Sequence, residues 1–339
     1  MKRRRAFLLL ELFILAGLLI VYFVFFVPNT FEGNRFITVS KGENFTQVVD
    51  SLAQAGIIRS RATFEIAGRA LNLTTRMQIG KYRFRSGVSN KEILEDLRHG
   101  KNIELITVTI REGLKAAKQA KIFTKQLRID STRFMELVND SAFVHSLGIA
   151  DTSLEGYLMP NTYLFYWQDD EETILKEMVK DFWTVFNDTL RKRMDEQALS
   201  LNDVMTLSSI VEAETAIDSE RAIVAGVYYN RLRKNMRLEA DPTIQYIIED
   251  GPRRLVRSDL FKESPYNTYR HYGLPPGPIN NPGRTAILAA LYPMRHKYLY
   301  FVATGQGGHT FSRTYDQHQR AVRQFRRVRE LQQAIKQEG

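Results

Sequence analysis

The stretch 201–216, LNDVMTLSSIVEAETA, reads as a helix that carries two carboxylates near its end, Glu212 and Glu214. An enzyme that uses one carboxyl as both acid and base needs a pKa raised by apolar surroundings. On the helical period Glu214 falls on the stripe of Leu207, Ile210 and Val211, whereas Glu212 shares a face with Met205, Ser208 and Ser209. A carboxylate at the C-terminal end of an apolar face also meets the negative end of the helix dipole. Both effects push its pKa upward. The competing reading of Glu214 is a buried salt bridge to Arg221 or Arg231.

Other chemistries find less support. His271, His309 and His318 are scattered through polar loops without the HExxH or HxH spacing that metals favour, so no metal is expected. His309 sits in the loop Gly307-Gly308-His309-Thr310-Phe311-Ser312, which could present its ring to a ligand or simply form a surface turn. The chain has no Cys, which excludes disulfides, thiolate sites and cysteine nucleophiles. No GxSxG elbow, P-loop or GxGxxG is present, and no cofactor is implied. Three prolines between 275 and 278 remove amide donors, so that segment reads as a rigid groove-lining loop and not a phosphate cradle. Tyr266, Tyr269 and Tyr272 beside it could stack on sugar rings or pack as a loop core.

These residues need elements to hold them. The glutamate helix is expected to be capped by Asn202 and to turn near Asp218 into a second helix, SERAIVAGVYYNRLRKN, capped by Ser219. A long helix is expected over 171–197 before them, and a basic amphipathic helix over the last 20 or so residues. Upstream, FITVS and the alternation at Tyr82 and Phe84 read as strands, and IELITVTI (103–110) as a third, ahead of the turn Glu112-Gly113. Amphipathic helices carry Val48, Val49, Leu52 and Ala53, then 61–71, then Ile93, Leu94 and Leu97 behind the cap Ser89. The fold class is α+β, with a small module over 36–113 and a larger domain over 150–330.

The N-terminus has its own signature. Residues 1–5 include Lys2 and Arg3–Arg5, and the run 6–27 carries one charge, Glu11. Its 22 residues reach about 33 Å as a helix, enough to cross a hydrocarbon core of about 30 Å. The positive flank predicts a single transmembrane helix in the lipid bilayer, with a cytoplasmic tail and the rest outside. A cleaved signal peptide would end at small residues, whereas this run ends Phe-Phe-Val-Pro. The net charge of +10 favours anionic partners, but nucleic acid is not expected outside the cytoplasm.

Several blocks carry a resemblance. SSIVEAETA, SERAIVAGVYYNRL, RLEADPTIQY, SPYNTYRHYGLPPGPI and GGHTFSRTYDQH resemble, in order, motifs of the endolytic murein transglycosylase (YceG-like) family. Gly80–Phe84 and Glu155–Tyr163 are similar to its GxYxF and EGYxxPDTY blocks, with Asn161 where the family usually has Asp. The resemblance covers 36–325 and implies a LysM-like module, then a catalytic transglycosylase domain acting outside an inner membrane on peptidoglycan glycan strands. By position it makes Glu214 the catalytic residue, donating to the oxygen between N-acetylmuramic acid and N-acetylglucosamine, then taking a proton from the C6 hydroxyl to close a 1,6-anhydro ring. Glu212 is the second choice for the acid and base and otherwise a supporting charge in strand binding; Asp241, Asn267, Tyr269 and His309 are the other expected strand-binding residues, and a peptidoglycan synthase is an expected neighbour. The alternatives are a non-catalytic wall-binding scaffold and a hydrolytic muramidase.

Overall fold

A computed structural model describes residues 2–73, 77–249 and 251–338. The chain divides into two units. The first comprises Met1–Val108, Lys125–Ile129 and Leu164–Asp170, and the second Thr109–Thr124, Asp130–Tyr163 and Glu171–Gly339.

The first unit opens with α1 (Lys2–Phe25), then β1 (Pro28–Asn29) and β2 (Asn34–Val39). Next come α2 (Phe45–Gln54), α3 (Arg61–Ala70), β3 (Gly80–Arg85), β4 (Val88–Ser89), α4 (Asn90–His99) and β5 (Ile106–Thr109). Strands β2 and β3 pair antiparallel from Asn34↔Arg85 to Val39↔Gly80. That register turns Ile37, Val39, Tyr82 and Phe84 onto the face where α2, α3 and α4 bury Val48, Val49, Leu52, Phe64, Ile93, Leu94 and Leu97. The helix starts are written locally. Asn44 with Gln47 and Ser89 with Glu92 form capping boxes, and Ser60 caps α3. The strand expected over 103–110 is shorter, Ile106–Thr109.

Helix α1 is the one element among the described residues long and apolar enough to cross a membrane, over Phe7–Phe25 at mean hydropathy 2.7. Its apolar side chains stand exposed, Phe13 at 79% for instance, a length of bare surface that water disfavours. Only its last turns dock: Val24 joins the core, and its carbonyl accepts from Asn90 Nδ2 at 2.8 Å.

The second unit carries α5 (Ala116–Leu127), α6 (Ser131–Val138), α7 (Ser141–Ser146), β6 (Thr162–Phe165), α8 (Glu171–Val185) and α9 (Asp188–Glu196). It continues with α10 (Leu201–Glu214), α11 (Asp218–Arg233), α12 (Asp241–Ile247), a short 3₁₀ turn, α13 (Arg284–Leu291), β7 (Tyr300–Ala303), β8 (His309–Ser312) and α14 (Tyr315–Glu338). The helix expected over 171–197 is therefore two. Asn187 accepts from the Thr189 and Leu190 amides and starts α9, so the chain bends between them. The caps also differ from expectation. Ser200, not Asn202, caps α10 in a box with Asp203, while Asn202 donates to the Pro276 carbonyl. Helix α11 begins at Asp218 with no side-chain cap, so Ser219 lies inside it.

At the centre, α10 packs on α11, α12 and α13. Every residue from Val204 to Val211 is buried, so the helix has no single apolar stripe. Its polar members are satisfied within: Ser208 Oγ donates to the Val204 carbonyl and Ser209 Oγ to that of Thr206. The segment before α13 is tied alongside, with Ile279 N donating to Ser209 Oγ at 3.0 Å and Asn280 Nδ2 to the Ser209 carbonyl at 2.8 Å.

Candidate active site

Helix α10 ends at Glu214, because Thr215 turns extended (φ −144°) and its hydroxyl accepts from Ile217 N. That break leaves the Glu214 carboxyl at the edge of a cavity of about 380 Å³, lined also by Lys115, Asp241, Gln245, Tyr246 and Ile279. Tyr228, 1% exposed on α11, donates its hydroxyl to Glu214 Oε1 at 2.5 Å. Oε2 has no protein partner among the described residues. Burial pushes the Glu214 pKa up to about 7; Asp241 adds to the rise, while Tyr228 and Arg231 oppose it. The salt bridge that would have made this residue structural is absent. Arg221 pairs with Glu212, and Arg231 with Glu239.

Glu212 is held quite differently. Its side chain, 6% exposed, takes both Arg221 Nη atoms at 2.7 and 2.9 Å and the Gly283 amide at 2.9 Å. Burial pushes its carboxyl up against the pull of those three donors. A Cβ at Gly283 would meet the Glu112 carboxyl, which would have to swing aside. Glu112 in turn lies 3.4 Å from Arg221 Nη2. Glu212 is thus spent inside the fold and does not line the cavity.

The other expected site residues separate into two groups. Asp241 lines the cavity at the first turn of α12, where the positive end of the helix favours a carboxylate. Tyr269 donates its hydroxyl to Asp241 Oδ1 at 2.5 Å and so reaches the cavity through that partner. Asn267 is fully buried and organises its own loop, donating to the Leu260 and Lys262 carbonyls and accepting from Tyr269 N. His309 opens β8, where Glu220 takes both its Nδ1 and its backbone amide, at 2.7 and 2.8 Å. Neither Asn267 nor His309 lines the cavity. The Pro/Gly segment does line a groove: Ile279 and Asn280 face this cavity, and Pro276–Pro278 a second one of about 290 Å³. No cluster of three or more His, Cys, Asp or Glu suited to a metal exists among the described residues.

Sequence reasoning missed Tyr228, Lys115 and Glu155. Glu155 is also pushed up to about 7 by burial, yet it accepts from Ala116 N and from Asn281 Nδ2 at 2.8 Å. Glu155 is therefore a fully engaged anchor, whereas Glu214 keeps one oxygen free beside a cavity. Tyr228 gives a test of that arrangement. In Tyr228→Phe the carboxylate loses its donor, so the Glu214 pKa rises further, by about one unit. The alkaline limb of a pH–activity profile then moves upward while KM stays near wild type; an unmoved limb would refute the hydrogen bond's role.

A carboxyl with a raised pKa, one oxygen held by a phenol and the other free at a cavity, has the make-up that general acid–base chemistry needs. The YceG-like family model matches residues 37–324, and the chain belongs to that family. A protein of Bacillus subtilis (strain 168) named endolytic murein transglycosylase is 29% identical over 85% of this chain and 84% of its own length. One of the same name from Streptococcus pneumoniae (strain ATCC BAA-255 / R6) is 27% identical over 87% of this chain, which spans 59% of the pneumococcal protein. The crystal structure of a YceG-like protein from Listeria monocytogenes superposes with a TM-score of 0.61 at 30% identity, covering 85% of this chain and 98% of that one.

Proposed function

We propose that the protein is a peptidoglycan lytic transglycosylase that cuts glycan strands internally, with Glu214 as its one acid and base. The observation that carries this reading is Glu214 itself, with a pKa near 7, Tyr228 on Oε1 and Oε2 free at a cavity. The names of the Bacillus and Streptococcus relatives support it. Protonated Glu214 donates to the oxygen linking N-acetylmuramic acid to N-acetylglucosamine, and the bond to the muramic C1 breaks. The carboxylate so formed takes the proton from the C6 hydroxyl, and O6 closes on C1. The proton returns to Glu214, and no water is consumed. Asp241, kept in place by Tyr269, stabilises the positive charge that develops at C1.

One observation favours a second reading. Asp241 lines the same cavity as Glu214, and hydrolases pair two carboxylates across the bond they cut. Mass spectrometry of digested strands decides between them. Ends lighter by one water are the anhydro products of transglycosylation, and ends carrying that water mean hydrolysis.

The acid must be protonated for the first step. Activity is therefore retained below pH 7 and falls about tenfold per unit above it, so an unchanged rate at pH 9 would remove Glu214 as the acid. The exposed apolar length of α1 supports a bilayer anchor, and the basic flank a cytoplasmic N-terminus with the catalytic unit on the outer side. Residues 36–113 serve as a LysM-like strand-holding module, and 150–330 carry the chemistry. Anchoring restricts action to strands near the membrane, beside the synthase that extends them, and so ends their growth.

A further inference from the structure

Two lysines share the Glu214 cavity, Lys115 just before α5 and Lys118 in its first turn. The start of a helix is the wrong place for cations, because the backbone dipole is positive there. Lys115 is compensated inside the fold. Its Nζ donates to the Tyr246 carbonyl at 3.1 Å and lies 4.5 Å from the centre of the Tyr246 ring, with the Glu155 carboxyl acting on it electrostatically. Lys118 is exposed, and its side chain has no ion pair or hydrogen bond among the described residues. The lining also holds an unsatisfied acceptor: Asn280 is 4% exposed, and its Oδ1 lacks a hydrogen-bond partner. A cavity with one uncompensated cation beside a second, and with an orphan acceptor, is set up for a ligand bearing both a carboxylate and an N–H.

We propose that Lys115 and Lys118 form a subsite that reads a carboxylate carried by the glycan strand, with Asn280 receiving an N–H from the same substrate. This rests on the assignment of the cavity as the strand groove. The carboxylate comes from the lactyl group of a bare muramic residue or from the peptide stem attached to it. The lysine cations also offset the repulsion that either anion would otherwise meet from Asp241. Lys118 sets specificity; Lys115 supports the wall and keeps Tyr246 in position.

The test uses the full chain in detergent with Glu214→Gln, so that labelled strands bind and persist. Affinity is measured for native strands and for strands whose carboxylates have been converted to amides. Lys118→Gln weakens native strands about fivefold and amidated strands far less, and Lys118→Arg restores the native value. Equal weakening of both strand types, or none, overturns the proposal. Bare strands and stem-bearing strands, compared in the same way, tell which carboxylate is read. Because Lys115→Met also loosens Tyr246, it is compared only as the ratio between native and amidated strands. Cleavage by the Glu214→Gln protein would defeat the acid–base assignment while leaving that ratio readable.

Discussion

Glu214→Gln abolishes strand cleavage, by about a thousandfold or more, while the protein keeps its melting temperature and still binds strands. The amide matches the carboxyl in shape and leaves an oxygen to accept from Tyr228, so the C-terminal turn of α10 has no reason to move. It cannot deliver a proton to a leaving oxygen or collect one from a hydroxyl, and both halves of the reaction stop together. Product analysis by mass spectrometry beside the unsubstituted chain is the check. Cleavage that survives the change would remove Glu214 from the chemistry, whereas strands bound but left uncut by both proteins would return the scaffold reading.

The second large effect is on stability. Arg221→Met leaves the Glu212 carboxyl, 6% exposed, with the Gly283 amide alone where it had a two-pronged ion pair. Removing one partner of a buried pair costs about 3–5 kcal/mol, because the other charge stays behind without solvent. For a unit of this size that lowers the melting temperature by about 10 °C. The double variant Arg221→Met/Glu212→Leu recovers most of the loss, because no charge is then stranded. Calorimetry on the four proteins closes the cycle. If the single variant melts like wild type, Glu212 is not a structural anchor and returns as a candidate for the site.

These two variants mark where local pattern stops being informative. The first unit was legible because its signals are local: capping residues Asn44, Ser60 and Ser89 stand next to amphipathic runs, and β2 and β3 alternate cleanly. Helices α6 and α7 had equally local signals in their caps, Asp130 and Asp140, in a stretch the motif reading passed over. In α10 the stripe argument favoured Glu214 over Glu212 for a reason the fold does not supply, since the helix is buried all round. What separates the two glutamates is the partner each one meets. Arg221 and Tyr228 lie 9 and 14 residues away in the chain, on opposite requirements of charge. No periodicity encodes that. Lys115 against Tyr246 spans 131 residues, and the pocket wall exists only once both have folded. Asn267 and His309, chosen for chemistry, turned out to face loop carbonyls and Glu220.

Asn281 carries a further consequence, for the order in which the protein is made. Its side chain takes the Gly156 and Leu158 amides and donates to Glu155 and to the Leu114 carbonyl, while its backbone bonds Gly113 and Leu114. A Cβ at Gly156, where φ is +96°, would strike Pro278, so these segments meet without slack. Strands β2 and β3 with helices α2, α3 and α4 can close on one another early in synthesis. The cavity cannot, because its walls from 113 to 158 wait for a residue more than a hundred positions downstream. A growing chain halted before residue 281 would already carry Glu214, but in an unclosed groove, with its longest-range contacts as the last and slowest to form. Closure of the groove is thereby withheld until residue 281 has emerged.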